Sequence, residues 1–493
     1  MRQVKRVFYN YTFLSFSQLL LLFVGVAAVA ILARFLGPYE YGKYNLFIFT
    51  SQMLSLFAST WVLNPAAAKF ASEEYLSSKS LKKTFSSELF VISINTLIVT
   101  FVLLLIRKKI SVFLGLEDNF IMIFIFIYLV VFALFNLLYF CFQGSLNFRI
   151  YGVMPLLRSS VFIILLCFLV FQKQFRINLV LLSLVSSYAI VIAVVWRKLK
   201  SLCLLVFDKE HLFKILSFSW PVVFFAGGNF ALDWIDKYLL RVLVSTYAVG
   251  IYSAAWNLTT NLVLVPQLLY TVVMPIITAY RLENHHANIK FYLNRLMPQL
   301  ALFFSVLISF AVVLANFLLP LLYGDKYTAS VNIFIILSLS SMFMGIKYFY
   351  NPVSTVFNFI KMTGSINLAC AFLCVSLNYL FISKFGMLGA AVATTASSLI
   401  ACIAVIFVIN RQFEILNFKA LYCSLPAIAV ASACLISKNL FFNLTVTLTV
   451  FFISYGLLKK YKIFSKSDLE IIEKIDMPRW LKNKAVKFYG TFS

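Results

Sequence analysis

Ten ionisable side chains stand in or beside long apolar stretches: Arg34, Lys43, Lys69, Arg158, Lys237, Arg241 and Lys347, against Glu88, Asp233 and Asp236. A Lys or Arg at the centre of a hydrocarbon layer costs ~2.5–3.5 kcal/mol on insertion scales, so each one calls for a use. Basic heads partly stripped of water bind anions, above all phosphates, which accept several charge-assisted hydrogen bonds at once. Acids in the same setting exchange protons or hold small cations. With bases outnumbering acids, a shared interior is expected to be net positive and to attract anions.

The spacing narrows the roles. Arg158, in MPLLRSSVFIILL, lies roughly 9 Å along its apolar stretch at 1.5 Å per residue. Lys347 lies well inside another, in MGIKYFYNPVSTVF. Neither has an acid within a helical turn. Pro352 is expected to kink that second helix, and Tyr348, Tyr350 and Asn351 add polar tips, so the segment reads as a cavity wall. The two tyrosines would suit the ring faces of sugars, although tyrosine is also an interfacial belt residue. Asp233, Lys237 and Arg241 are spaced i, i+4, i+8 on one helix face and are expected to pair, with Asp236 a little round the same helix. They form a gating or ion-coupling set with Glu88; Pro221 and Gly227-Gly228 allow the helix to bend. Snorkelling cations and a self-neutralised helix end remain alternatives at these positions.

The elements that must hold these groups are plain from composition. The chain has 493 residues, 62% of them hydrophobic and 12% charged. Its apolar residues fall in about fourteen blocks near the ~20-residue length that crosses a bilayer. Lipid offers no partner to backbone groups, and the blocks are too long and uniform for barrel strands, so the spans are helices. The fold expected is an all-α polytopic membrane protein. Most of the 42 Lys and Arg residues lie in loops on the side of Arg2, Lys5, Arg6 and the run Arg197, Lys198, Lys200. That bias places both termini in the cytoplasm. Arg107-Lys108-Lys109 is the exception, falling outside. The net charge of +25 is topological charge beside anionic lipid, with no soluble basic domain to bind nucleic acid.

The start, MRQVKR followed by LLLLFVGVAAVAILA, has the outline of a signal peptide, but the apolar run continues to Leu36 and reads as an uncleaved helix. Eight cysteines form no CxxC pair and read as small packing residues. Three histidines, His211, His285 and His286, lie in loops, so no metal site is expected. There is no GxxxxGK[ST], GxSxG, HExxH or GxGxxG motif, and no long loop to carry catalytic groups; an enzyme is not expected, nor any cofactor. Near the end, Ser467-Asp-Leu-Glu470 fits a capping box for a short amphipathic helix over 468–476.

The halves echo one another. Arg34-x-Leu36 with Gly42-x-Tyr44 recurs as Arg241-x-Leu243 with Gly250-x-Tyr252, and Pro65-x4-Phe70 as Pro275-x4-Tyr280, at a spacing of roughly 210 residues. An even number of helices separates the copies, which implies two parallel six-helix lobes, 1–200 and 201–415, followed by two extra spans in 416–458 and a basic cytoplasmic tail, 459–493.

Three stretches carry a resemblance. ARFLGPYEYGKYNL resembles the first-hairpin signature of bacterial polysaccharide-export flippases. DWIDKYLLRVLVSTYAVGIYSAAWNL is similar to their seventh-to-eighth hairpin, with Asp236-Lys237 at the acid–base pair. NYLFISKFGMLGAAVATTAS resembles their eleventh-to-twelfth signature, here Asn378, Leu380, Lys384, Gly386, Gly389, Ala390, Ala391, Ala393 and Thr394. The likeness runs over about residues 5–410 in order. It implies a flippase of the cytoplasmic (inner) membrane that moves polyprenyl-diphosphate-linked oligosaccharide repeat units by alternating access, for O-antigen or capsule synthesis. It also implies coupling to protons or sodium or none, and membrane lipids, a glycan polymerase and a chain-length regulator as partners. Arg34, Lys43, Lys69, Arg158 and Lys347 would then meet the diphosphate. The same superfamily includes multidrug exporters; a cation exporter, the competing reading, predicts an acidic cavity instead.

Overall fold

The computed structural model describes residues 2–63, 67–115, 118–199, 206, 208–220, 234–283, 285–415, 418–437 and 439–460. Asp233, Pro221, Gly227-Gly228, Pro65 and the expected tail helix lie outside the described residues. Within them the chain is helical throughout, with no strand. Among the described residues ten helices are long and apolar enough to cross a membrane. Their outward faces carry large apolar side chains such as Phe23, Ile98, Phe101, Phe171, Phe372 and Phe452. Water would not tolerate that much continuous apolar surface; acyl chains do. The protein is a multi-pass integral membrane protein.

Two of the ten helices are broken. Arg2–Ser55 (α1) contains Gly37 at φ 72°, ψ 168°, and Ile360–Gln412 contains Gly386 at φ 56°, ψ −131°. Both lie in regions that a side chain disfavours, so each glycine ends one helical arm and starts another. Pro38 follows at the first position of the second arm, where its missing N–H is not needed. The second arm of α1 runs on into a π-helical turn, Leu56–Thr60. After it come Ala68–Ser78 (α2), Lys82–Leu105 (α3), Arg107–Leu114 (α4), Asp118–Gly144 (α5), Phe148–Phe171 (α6), Ile177–Leu199 (α7) and Lys209–Ser219 (α8). Helix α4 holds the Arg107–Lys109 run expected as a loop; the run opens an amphipathic two-turn helix, closed by Gly115 at φ 65°. Left-handed residues recur along the chain as Gly115 and Gly324, Leu146 and Asn358, Lys173 and Gly386, again at roughly 210 residues.

The chain forms two compact units, Met1–Asn257 with Leu322–Tyr327 and Cys374–Ala390, and Leu258–Leu321 with Thr328–Leu373 and Ala391–Ser493. In the first, α1 lies along α6, α5 packs on α7, and α3 packs on the π turn, α5 and α8. In the second, Leu264–Leu282 packs on Ser330–Val356, and Leu425–Ile436 on both Ser330–Val356 and Leu440–Lys460. Ser330–Val356 is one helix with Pro352 inside its last two turns.

Two glycines set a backbone contact inside the first unit. A Cβ on Gly250 would collide with the carbonyl of Pro38, and one on Gly42 with the carbonyl of Thr246. Neither obstacle is a side chain that can rotate away. Gly250→Ala is expected to lower stability by about 1–3 kcal/mol, the usual cost of overpacking, read as a fall in thermal unfolding temperature in detergent.

Candidate functional site

In the first unit the segment 234–243 is helical and buries an acid–base pair. Asp236 and Lys237 are each 1% exposed. The Asp236 Oδ1 accepts from the Lys237 backbone N–H at 2.7 Å and from its Nζ at 3.2 Å. The Tyr252 hydroxyl donates to Oδ2 at 2.5 Å. The ammonium sits 3.8 Å from the Trp256 ring centre, 4.9 Å from Trp234 and 5.7 Å from Tyr252. A buried charge needs both a counter-ion and further polar contacts, and this one has a carboxylate and three ring faces. Sequence spacing missed this cage, although Tyr252 and Trp256 are four apart and share a helix face.

The Asp233 partner that spacing offers Arg241 lies outside the described residues, and the contacts of Arg241 within them are with α4. Its Nε donates to the carbonyl of Phe113 at 2.7 Å and its Nη2 to that of Val112 at 3.2 Å. Those are carbonyls in the last turn of α4, which have no partner within their own helix and attract a cation. Arg241 therefore caps α4.

The remaining cations differ in how much charge they leave available. Lys43 donates to Glu40 at 2.9 Å and stands 4.7 Å from the Tyr39 ring centre, so its charge is balanced locally. Arg34 and Lys69 are exposed, with the Lys69 ammonium 4.1 Å from the Phe218 ring. Arg158 is half-buried. Its Nη2 donates to Ser159 Oγ at 2.9 Å, and its guanidinium lies 5.0 Å from the Tyr188 ring centre. Tyr44 and Tyr128 are within its electrostatic reach, and Tyr128 meets Tyr188 edge-on at 5.8 Å. Among the described residues no carboxylate pairs with Arg158. An arginine so set keeps its fork of donors for an anion.

In the second unit Lys347 is half-buried and donates to Asn367 Oδ1 at 3.0 Å. Tyr348 accepts from Gln267 Nε2 at 3.0 Å, and Tyr350 is 1% exposed and bonded to Asn410. Asn367 was not singled out in the sequence; a lone amide in an apolar span was the available signal. Glu88, back in the first unit, is fully buried. No group of three or more His, Cys, Asp or Glu that could hold a metal occurs among the described residues.

A polar junction ties α2, α3 and α8. Glu74 accepts from the backbone N–H of Lys83 at 3.0 Å and of Thr84 at 2.8 Å, capping α3. Asp208 caps α8 through the His211 N–H at 3.0 Å and pairs with Lys83 at 2.7 Å. The Lys83 bond and then the His211 amide hold its carboxyl at about 2, below the usual 3.8. Burial pushes the His211 imidazole below its usual 6.5. Both groups bind protons more weakly when folded, so their stabilisation is present above the unfolded values and fades as pH falls through them. Thermal stability in detergent is expected to drop on acidification from about pH 7.5 to about 5.5, and less so in His211→Asn.

Comparison with known proteins bears on what these groups serve. A 184-residue stretch is 24% identical to the probable low-salt glycan biosynthesis flippase Agl15 of Haloferax volcanii, covering 36% of this chain and 38% of that protein. The match thus spans well under half of that relative's length. The fold matches lipid II flippase MurJ in its inward closed conformation, with TM-score 0.67 and 17% identity over 91% of this chain and 99% of that one. It also matches an inward-facing MATE-family multidrug resistance transporter of the MOP superfamily, with TM-score 0.62 and 13% identity over 80% of this chain and 94% of that one. These relatives are transporters and flippases rather than enzymes. The profile of the polysaccharide biosynthesis protein family matches residues 7–281, more than half of the sequence, and the chain belongs to that family.

Proposed function

We propose that the protein is a flippase carrying a polyprenyl-diphosphate-linked oligosaccharide across a bacterial cytoplasmic membrane, feeding O-antigen or capsule synthesis. About fourteen spans form two parallel six-helix lobes, 1–200 and 201–415, with both termini cytoplasmic. The lobes rock around a cationic central cavity, and the lipid tail stays in the bilayer. The recurrence of left-handed residues in Gly115 and Gly324, Leu146 and Asn358, Lys173 and Gly386 supports the repeat on which this reading rests.

The observation that carries the cargo assignment is Arg158, half-buried among tyrosines with no carboxylate partner among the described residues. A diphosphate cannot cross hydrocarbon with its water, and guanidinium donors replace that water at the least desolvation cost. Lys347 supplies a second cation, and tyrosine faces suit sugar rings. Arg34 and Lys69 have the exposure to guide the anion in, while Lys43 is offset by Glu40. A cation exporter needs an interior acid open to its cargo; Asp236 is committed to Lys237 and Tyr252, and Glu88 is fully buried.

The direct test reconstitutes the protein in liposomes with a labelled polyprenyl-diphosphate oligosaccharide and follows its exposure at the opposite face. Acceleration over protein-free liposomes is expected. A rate equal to theirs, with a folded and inserted protein, overturns the proposal.

A further inference from the structure

Glu88 is 0% exposed, and among the described residues neither of its carboxyl oxygens meets a hydrogen-bond donor or a cation. An ionised carboxylate so placed loses its hydration with nothing in return, which strongly disfavours the charged form. The neutral acid loses far less. Helix α3 packs against the π turn Leu56–Thr60, α2, α5 and α8. The π turn carries no titratable group. On α2, Glu74 is taken up by the amides of Lys83 and Thr84, and Lys69, Glu73, Tyr75 and Lys79 make no contact with Glu88. At α8, Asp208 is paired with Lys83, and Lys209, Glu210 and Lys214 likewise do not reach Glu88. On α5, Tyr128 and Tyr139 lie against Tyr188 and Tyr151.

One titratable group does approach the same face of α3. Thr84 precedes Glu88 by one turn, so their side chains are neighbours. The Thr84 Oγ1 is 3.0 Å from His211 Nε2, and His211 is half-buried. Two turns beyond Glu88, Asn95 Nδ2 and Thr96 Oγ1 are also without hydrogen-bond partners among the described residues, as is Ser87 Oγ next to it in sequence. Native interiors leave few such groups, and a run of them on one helix asks for a reason.

We infer that Glu88 is a proton-binding site loaded from the His211–Thr84 side, and that this proton is the coupling ion of the transport cycle proposed above. In the loading step a proton from water binds His211 Nδ1. Nε2 gives up its proton to Thr84 Oγ1; the Glu88 side chain, which makes no hydrogen bond in the structure, turns one rotamer toward Thr84 and takes the proton that the hydroxyl releases. One proton moves from water to the carboxylate, and only N–H and O–H bonds change. A hard metal cation asks for some six oxygens; a proton asks for one, which is what Glu88 offers.

Infrared difference spectroscopy on the full chain in liposomes tests the site without any cargo. The wild type is expected to show a protonated-carboxyl band that shifts in heavy water, is lost in Glu88→Gln and moves in Glu88→Asp. His211→Asn and Thr84→Val are expected to slow its deuterium exchange by about one to two orders of magnitude, the scale of a positioned acid–base group. No Glu88-dependent band at any pH, or one that never exchanges, overturns the site; exchange at the wild-type rate in both variants overturns the route. The coupling clause rests on the transport reading and is tested apart from it. An imposed pH gradient should speed cargo movement by wild type and not by Glu88→Gln. An equal response in both overturns the coupling. Failure of the wild type to move cargo removes coupling and transport reading together and leaves the infrared result standing.

Discussion

Arg158→Ala is expected to slow movement of the lipid-linked oligosaccharide by about 10- to 100-fold, since a hydrogen bond to a charged group contributes roughly 1.5–3 kcal/mol. The side chain is half-buried, faces Tyr188 and is bonded only to the neutral Ser159 hydroxyl among the contacts described. Removing it breaks no ion pair, so the protein should fold and insert as before. Arg158→Lys keeps the charge but loses the planar fork and the stacking on Tyr188, and an intermediate rate is expected. Lys43→Ala is the contrasting case, because Glu40 already balances that ammonium; little change is expected. The measurement is the outer-face exposure of labelled cargo in liposomes at matched protein density. Wild-type rates in Arg158→Ala would remove the arginine from the cargo path.

The largest stability effect is expected at the buried pair. Asp236→Ala takes a carboxylate away from the Lys237 ammonium, which is 1% exposed. Breaking a buried pair by removing one partner costs about 3–5 kcal/mol. That is a large share of the net stability of a typical domain. Lys237→Ala should cost less, because Asp236 keeps the Lys237 backbone N–H and the Tyr252 hydroxyl. Replacing both, as Asp236→Leu with Lys237→Met, should recover most of the loss, since an apolar pair of similar volume is often no worse than the ions it replaces. Thermal unfolding in detergent gives the order directly. Asp236→Ala as stable as the wild type would mean that Asp236 is not the carboxylate that balances Lys237.

Whether the chain spans a membrane, and with helices, could be read from the sequence because hydrophobicity and block length are local properties. So could the breaks near Gly37 and Gly386, where glycine beside proline or at a short basic turn leaves little choice of backbone. The acid–base pair at Asp236 and Lys237 could be read too, from family likeness. Arg241 shows where local reasoning stops. Spacing of i, i+4, i+8 tells which side chains share a helix face, but not that the end of α4 arrives opposite with unsatisfied carbonyls. The Arg107–Lys109 run misled in the opposite sense, because charge density alone does not distinguish a loop from the polar face of a short helix. Lys347 found its partner in Asn367, twenty positions away, a contact that no period in the sequence encodes. Lys43 and Glu40 are three apart, and their pairing was available from sequence but outweighed by the count of cations.

The π turn at Leu56–Thr60 has a bearing on length variation. A π turn holds one residue more than an α turn, the mark of a single insertion absorbed without turning the helix on either side. Deleting one residue there should therefore regularise the helix and keep Phe49 facing Trp234. The same deletion in an ordinary turn of that helix would rotate everything downstream by about 100°. Tolerance of shortening should be greater at those five positions than in the α-helical turns that precede them.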